Sequence, residues 1–306
     1  MSLRAELVRV WLRWAMKRSN HPNVTIAERR RRMAQFERRV PRPPGWIEIS
    51  ERPLGGIPTL RVRSLASQPV RQILFLHGGA YVTGSPALYR HILWRFAVAA
   101  EARVAAIDYR LAPEHSFPAA LDDAIGAWQG LLAEGADPRR CAVMGDSAGG
   151  GLALALLLRL RDMGEPLPGA AVALSPWTDL AMTGKSLQRN AANDPMENPD
   201  DVPYLAACYL GEEDPRNPYA SPLYGDPTGL PPTLIQVGSD EILLDDSVRM
   251  AERMKTAGCQ VELEIWPRMP HVWHAFAPVM PEAKRAIARI GEFVRRHAAE
   301  RCSGGV

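Results

Sequence analysis

Gly145-Asp146-Ser147-Ala148-Gly149 sets a serine between two glycines in GxSxG spacing. The apolar run Ala142–Met144 precedes it, and a stretch rich in Ala and Leu follows it. A serine on a tight strand-to-helix turn has an exposed hydroxyl and a strained backbone, and small neighbours let strand and helix pass close together. The chemistry this suits is nucleophilic attack through a covalent intermediate. A plain glycine-rich turn is the alternative reading of the five residues alone. A phosphate-binding loop is disfavoured, because neither Gly-Lys-Ser/Thr nor GxGxxG follows.

A serine hydroxyl needs a base, and the base needs an orienter. With the nucleophile on such an elbow, the order along the chain is Ser, acid, His. Of the seven histidines, His271, His274 and His297 lie after Ser147. His297 falls in the charged run Arg295-Arg296-His297 and reads as a solvated helix residue. His271 follows the candidate strand Val261–Trp266 across a Pro267–Pro270 loop, and is favoured over His274 because it comes first after the loop. The acid should also leave a strand end. Asp240, in the turn after Thr233–Gly238, is best placed. Glu241 lies one residue further on, and Asp245 and Asp246 fall inside the next helix.

Acyl transfer also needs donors for the developing oxyanion. His77-Gly78-Gly79-Ala80-Tyr81 follows the apolar run Ile73–Leu76, and its glycines let backbone N–H groups approach a substrate closely. With the N–H of Ala148, Gly78 and Gly79 would make a three-donor hole. Trp177 follows a strand end and is placed to wall an acyl pocket, with Tyr81 and Tyr204 as further substrate-side candidates. For each aromatic, plain packing is the alternative.

These residues require a particular scaffold. Short apolar runs without alternation (Ile73–Leu76, Val104–Ile107, Ala142–Met144, Ala171–Leu174, Leu234–Val237) suit strands covered on both faces. Candidate strands fall at 46–51, 59–63, 72–76, 103–108, 141–145, 170–174, 233–237 and 260–266. Helical patterns fall at 86–100, 118–134, 148–163, 242–257 and 281–299. This alternation predicts a three-layer α/β domain with a mostly parallel sheet. Residues 180–230, rich in Asn, Asp, Pro and Gly with one helical patch at Pro199–Leu210, read as an insertion.

The first 45 residues read as two helices. Leu3, Leu7, Val10, Trp11 and Trp14 recur at helical spacing. Asn20, His21, Pro22 and Asn23 interrupt the pattern, and Thr25 with Glu28 has capping-box spacing for a second helix bearing Ile26, Met33, Phe36 and Val40. Charge concentrates here. Residues 1–50 hold 12 Lys+Arg and 4 Asp+Glu, so this head is +8 in a chain of net +3. Such a head admits nucleic acid or an anionic membrane as partner. The apolar spacing favours instead helices packed by their apolar sides over the active site, with the arginines outward.

The remaining composition excludes several classes. Hydrophobic residues make up 46% and charged residues 23%, as in ordinary globular chains. No run reaches the roughly 18 apolar residues of a membrane span. Arg4, Arg9 and Arg13 interrupt the N-terminal apolar residues, so no signal peptide is expected. Cys141, Cys208, Cys259 and Cys302 form no CxxC pair, which argues against zinc and disulfides and fits a cytoplasmic, reducing compartment. No metal or cofactor is expected, and no nucleic acid.

HGGAY (77–81), DYRLAPEHSFPAALDDA (108–124), GDSAGG (145–150), SPWTDL (175–180), GSDEILLDD (238–246) and HVWHAF (271–276) stand in one order. Together they resemble the GDSAGG subgroup of the bacterial hormone-sensitive-lipase-like esterases, within the α/β-hydrolases. The resemblance covers residue 46 to the end. It implies an eight-stranded α/β-hydrolase fold, the triad Ser147–Asp240–His271, and an oxyanion hole of Gly78, Gly79 and Ala148. It implies a cap built from residues 1–45 and the 180–230 insertion on a 46–306 catalytic domain, and often a homodimer. Many relatives carry HGGG where this chain has HGGAY, and Asp-Pro-Leu where it has Asp240-Glu241-Ile242. The implied function is a serine carboxylesterase acting on short- to medium-chain acyl esters, small-molecule substrates. An amidase, an N-deacetylase, a long-chain lipase or a peptidase would share the chemistry. A non-catalytic ligand receptor on this fold is disfavoured by the complete set of Ser, acid and His.

Overall fold

Apolar runs lacking alternation must be buried on both faces, and the computed structural model, which describes residues 1–17 and 23–299, places them so. One eight-stranded sheet has the order β1-β2-β4-β3-β5-β6-β7-β8. Its strands are β1 (Ile47–Glu51), β2 (Thr59–Ser64), β3 (Arg71–Leu76), β4 (Ala102–Ile107), β5 (Cys141–Asp146), β6 (Ala170–Leu174), β7 (Thr233–Gly238) and β8 (Val261–Trp266). Only the β1–β2 and β2–β4 pairs are antiparallel; the rest are parallel. Every residue of β5, β6 and β7 is buried. Parallel central strands demand exactly such two-sided cover from crossover helices.

The helices supply that cover. They are α1 (Leu3–Leu12), α2 (Ile26–Glu37), α3 (Pro86–Ala100), α4 (Ala119–Ala133), α5 (Ala148–Asp162), α6 (Ser186–Arg189), α7 (Val202–Leu210), α8 (Leu244–Thr256) and α9 (Pro281–His297). On one face Phe96 of α3 and Ile290 and Phe293 of α9 pack with Ile73, Phe75 and Met144 of the sheet. On the other, Trp128 of α4 and Leu152 and Leu156 of α5 pack with Leu74, Leu76 and Val143. The α5 helix is apolar nearly all round, as expected of a helix wedged between sheet and neighbours.

The N-terminal helices carry a correction. The stripe Leu3, Leu7, Val10, Trp11 and Trp14 was expected to face inward, with the arginines outward. Instead Ala5, Arg9 and Leu12 are the buried residues of α1, while Leu3 is 77% and Trp14 68% exposed. Specific polar anchors decide the orientation. Ser2 bonds Glu282 of α9 through its N–H and its hydroxyl. Arg9 reaches the Asp240 carboxylate at 2.8 Å and the Arg268 carbonyl at 2.7 Å. Periodicity reveals that a helix has two faces but not which one its partner holds. On α2, Ile26 is buried while Phe36 is 52% exposed, and Arg29 and Arg30 dock the helix through Asp201 and Glu114. The interruption at Asn20–Pro22, and Cys302, lie outside the described residues.

Candidate active site

The elbow is built by glycines that nothing else can replace. A Cβ on Gly145 would sit 2.1 Å from the Gly149 carbonyl oxygen, and one on Gly149 would sit 2.1 Å from that of Leu76. Strand β5 therefore turns directly into α5, and Ser147 is left at φ 53°, ψ −124°. A non-glycine residue there stores strain of order 1–3 kcal/mol, held by its surroundings. The Ser147 N–H donates to the Leu174 carbonyl at 2.8 Å, and its carbonyl accepts the N–H groups of Gly150, Gly151 and Trp177.

The ends of β7 and β8 carry His271 and the carboxylate it meets. His271 follows β8 across the Pro267–Pro270 loop and is buried. Its Nδ1 donates to Oε2 of Glu241 at 2.8 Å. The other oxygen of Glu241 accepts from the Gly238 N–H and, at 2.8 Å, from the Ser175 hydroxyl. Ser175 in turn accepts the Val272 N–H at 3.3 Å, so one hydroxyl ties the acid to the histidine loop. Ser175 follows Leu174, whose carbonyl holds the Ser147 N–H, so Ser147, Glu241 and His271 all stand at the carboxyl edge of β5 to β8.

The acid was expected at Asp240, but the carboxylate that meets His271 in the structure is that of Glu241. Asp240 turns away: its carboxylate takes Arg9 and the Ser239 hydroxyl. Glu241 is completely buried, and its neighbour Ile242 donates its N–H to Asp194, which pins the turn from the far side. The rival histidines are elsewhere. His274 is buried on Trp273 with Nε2 bonded to Gln236, and burial pushes it down to about 3, so it stays neutral in the core. His297 lies against Phe293 of α9, the rings tilted at 46° with centroids 4.6 Å apart.

Electrostatics single out His271. Burial lowers its pKa, but the hydrogen bond and charge of Glu241, joined by Glu197 and Asp194, outweigh that and raise it to about 9. Burial also pushes the Glu241 carboxyl above its ordinary value, with His271 and the Gly238 N–H opposing. The pair thus favours the protonated imidazole, and once that proton leaves, the Nδ1–Glu241 bond keeps the remaining one on Nδ1 and leaves Nε2 as the acceptor.

The glycine loop holds a second correction. The Gly78 N–H is engaged by the Asp146 carboxylate at 3.0 Å and the Tyr89 hydroxyl at 3.1 Å. It faces inward and is not a free donor. Asp146 is buried and also accepts the Tyr89 O–H at 2.9 Å; burial pushes its carboxyl up to about 6. Gly79 turns the loop at φ 125°, where a Cβ would meet the Thr83 carbonyl oxygen at 2.1 Å. Among the described residues, the N–H groups of Gly79, Ala80 and Ala148 donate to no protein acceptor. The motif pattern flagged this loop but could not tell which of its amides faces outward.

Of the aromatic candidates, Trp177 is buried beside the elbow, its N–H on the Ser147 carbonyl and its ring 6.3 Å from that of Tyr81. Tyr81 is buried too, stacked on Tyr209 with centroids 3.6 Å apart. Tyr204 lies 39% exposed on α7 and is not brought to this cluster.

Known proteins resemble this chain over most of its length. The alpha/beta hydrolase fold family matches residues 73–275. An acetyl-hydrolase of Streptomyces hygroscopicus is 48% identical over 77% of this chain and 79% of its own. A crystal structure of an esterase from the bacterial hormone-sensitive lipase family superposes with TM-score 0.92 at 45% identity, covering 98% of this chain and 99% of that one. Another, of EstE5 soaked with p-nitrophenyl butyrate, has TM-score 0.91 at 40% identity over 97% of this chain and 99% of the other.

Proposed function

Since the chain belongs to the alpha/beta hydrolase fold family, among the esterases of the bacterial hormone-sensitive lipase family, we propose that it hydrolyses small carboxylic esters with Ser147 as nucleophile, His271 as base and Glu241 as orienter. The single observation that carries this is the buried His271–Glu241 pair at 2.8 Å, at the edge where Ser147 stands on its strained elbow. His271 takes the Ser147 proton as the hydroxyl attacks the ester carbonyl. The tetrahedral oxyanion rests on the N–H groups of Gly79, Ala80 and Ala148. His271 then protonates the leaving alcohol, and water, deprotonated by the same imidazole, releases the acid. Glu241 stabilises the imidazolium formed in each half-reaction. Each oxyanion donor supplies about 2.7–4 kcal/mol of transition-state stabilisation.

The acyl group is proposed to be short to medium, walled by Trp177. The names of the relatives, an acetyl-hydrolase and an esterase soaked with a butyrate ester, support that range. Helices α1 and α2 with residues 180–230 are proposed to form a cap. Arg9 on Asp240, Arg13 on the Ala192 and Asn193 carbonyls, Lys17 on that of Asp194 and Arg29 on Asp201 clamp these parts together over the acid turn. A hydrolysis profile over p-nitrophenyl esters of rising chain length tests the assignment. The expected result is a maximum at short chains; a maximum among the longest chains, or none cleaved, contradicts it.

Two further outcomes follow from the site. Only neutral imidazole accepts the serine proton, and His271 is raised to about 9. Activity should therefore climb as pH rises toward about 9, above the ordinary histidine range, and the ascending limb of kcat/KM against pH reports it. Ser175→Ala removes a donor from Glu241 and an acceptor from Val272. A charge-assisted bond of this kind is worth about 1.5–3 kcal/mol. Steady-state kinetics should show kcat down by roughly tenfold to a hundredfold, with KM little changed.

A further inference from the structure

We propose that the outward face of α1 docks the protein onto an anionic lipid surface. At 3.6 residues per turn, Leu3, Leu7, Val10 and Trp11 fall on one arc of the helix, and Trp14 continues it. All five point outward; Leu7 is 62% and Val10 66% exposed. The opposite face, with Ala5, Arg9 and Leu12, is the one used up by the body of the protein. A helix anchored through Ala5, Arg9 and Leu12 and baring leucine and tryptophan on its other side leaves an apolar stripe uncovered. Such a face suits the boundary between headgroups and acyl chains, where tryptophan is favoured.

Charge selects the kind of surface. Residues 1–17 carry Arg4, Arg9, Arg13 and Lys17 against Glu6 alone. Arg4 and Arg13 are exposed beside the apolar stripe. A groove of about 360 Å³ borders it, lined by Glu6, Arg9, Val10, Arg13, Trp14 and Arg268. Within it Arg9 is paired to Asp240 and Arg268 to Glu6, while Arg13 holds only carbonyls, so the rim keeps a net positive charge. Cationic side chains flanking an apolar stripe draw a helix to anionic headgroups. A second copy of the chain is the less suited occupant, because a two-fold contact would set these cations against themselves. Docking here would reach the site directly. Arg9 holds Asp240, just before Glu241, and the carbonyl of Arg268, in the loop before His271, and Trp11 meets Phe276 edge-on at 6.5 Å.

The test is sedimentation of the full chain with vesicles of phosphatidylcholine alone or mixed with phosphatidylglycerol, at low and high salt. The expected result is binding to the mixed vesicles only, weakened by salt. A Leu3→Glu/Leu7→Glu variant should bind them on the order of tenfold less, while cleaving a water-soluble ester as the parent does. That retained activity shows the variant is folded. Equal binding to both vesicle types, no binding to either, or unchanged binding by the variant would each overturn the proposal. So would a dimer in sedimentation velocity that the variant abolishes without any vesicle binding.

Discussion

Glu241→Gln is expected to lower kcat on a soluble ester by about 10⁴, the scale on which a serine hydrolase loses rate when the acid behind its histidine becomes an amide. Asp240→Asn should leave kcat within about twofold, since Asp240 is bonded to Arg9 and not to the imidazole. The reason for the large effect is the tautomer. Glu241 accepts the Nδ1 proton of His271 at 2.8 Å, and an amide there can present its NH₂ instead and leave Nε2 protonated. Removing the charge also removes what holds His271 up at about 9, so burial prevails and the imidazole's pKa falls. The ascending limb of the residual activity should accordingly move to lower pH. Asp240→Asn has the opposite signature. Arg9 keeps its place at 7% exposure but loses a charged partner, so the loss is in stability, about 1–3 kcal/mol, read as a lower denaturant midpoint at unchanged slope.

Ser147→Ala removes the attacking atom itself, and kcat is expected to fall by about 10⁶, as when the nucleophile of a comparable triad is deleted. A residue of catalysis survives through the oxyanion donors, which the substitution leaves in place. Stability should change little. Alanine inherits the strained backbone at φ 53°, and no side-chain hydrogen bond caps α5 at Ser147, so none is lost there. The double variant Ser147→Ala/Glu241→Gln should be no slower than Ser147→Ala alone, because groups that act on one proton path do not add. Additive losses would mean that the two residues work separately.

Much of the scaffold was legible because burial on both faces leaves a plain mark. The unalternating runs at Ile73–Leu76 and Leu234–Val237 became interior parallel strands. The serine elbow was equally plain, since backbone crowding allows only glycine at 145 and 149. The acid was not. Asp240 and Glu241 are neighbours, and a turn points neighbours in different directions. Glutamate's extra methylene reaches Nδ1 while Arg9, 231 residues away in sequence, claims the aspartate. One signal existed: with Glu241 first, the relatives' Asp-Pro-Leu reads Glu241-Ile242-Leu243 and keeps its leucine. The outward amide of the glycine loop was hidden for a similar reason. It depends on Asp146 and Tyr89 capturing Gly78, a contact between three separate segments. The face of α1 likewise turned on Arg9 and Ser2, whose partners lie near the other end of the chain.

The central claim is that Ser147 is activated by His271 through Glu241. Its most direct measurement is the rate of covalent labelling by a fluorophosphonate probe, with the adduct located by peptide mass, in the parent and in the Glu241→Gln and Asp240→Asn proteins. The expected result is a single adduct on Ser147, formed as fast in Asp240→Asn as in the parent and slower by orders of magnitude in Glu241→Gln. An adduct at another residue, or fast labelling of Glu241→Gln beside slow labelling of Asp240→Asn, would contradict it.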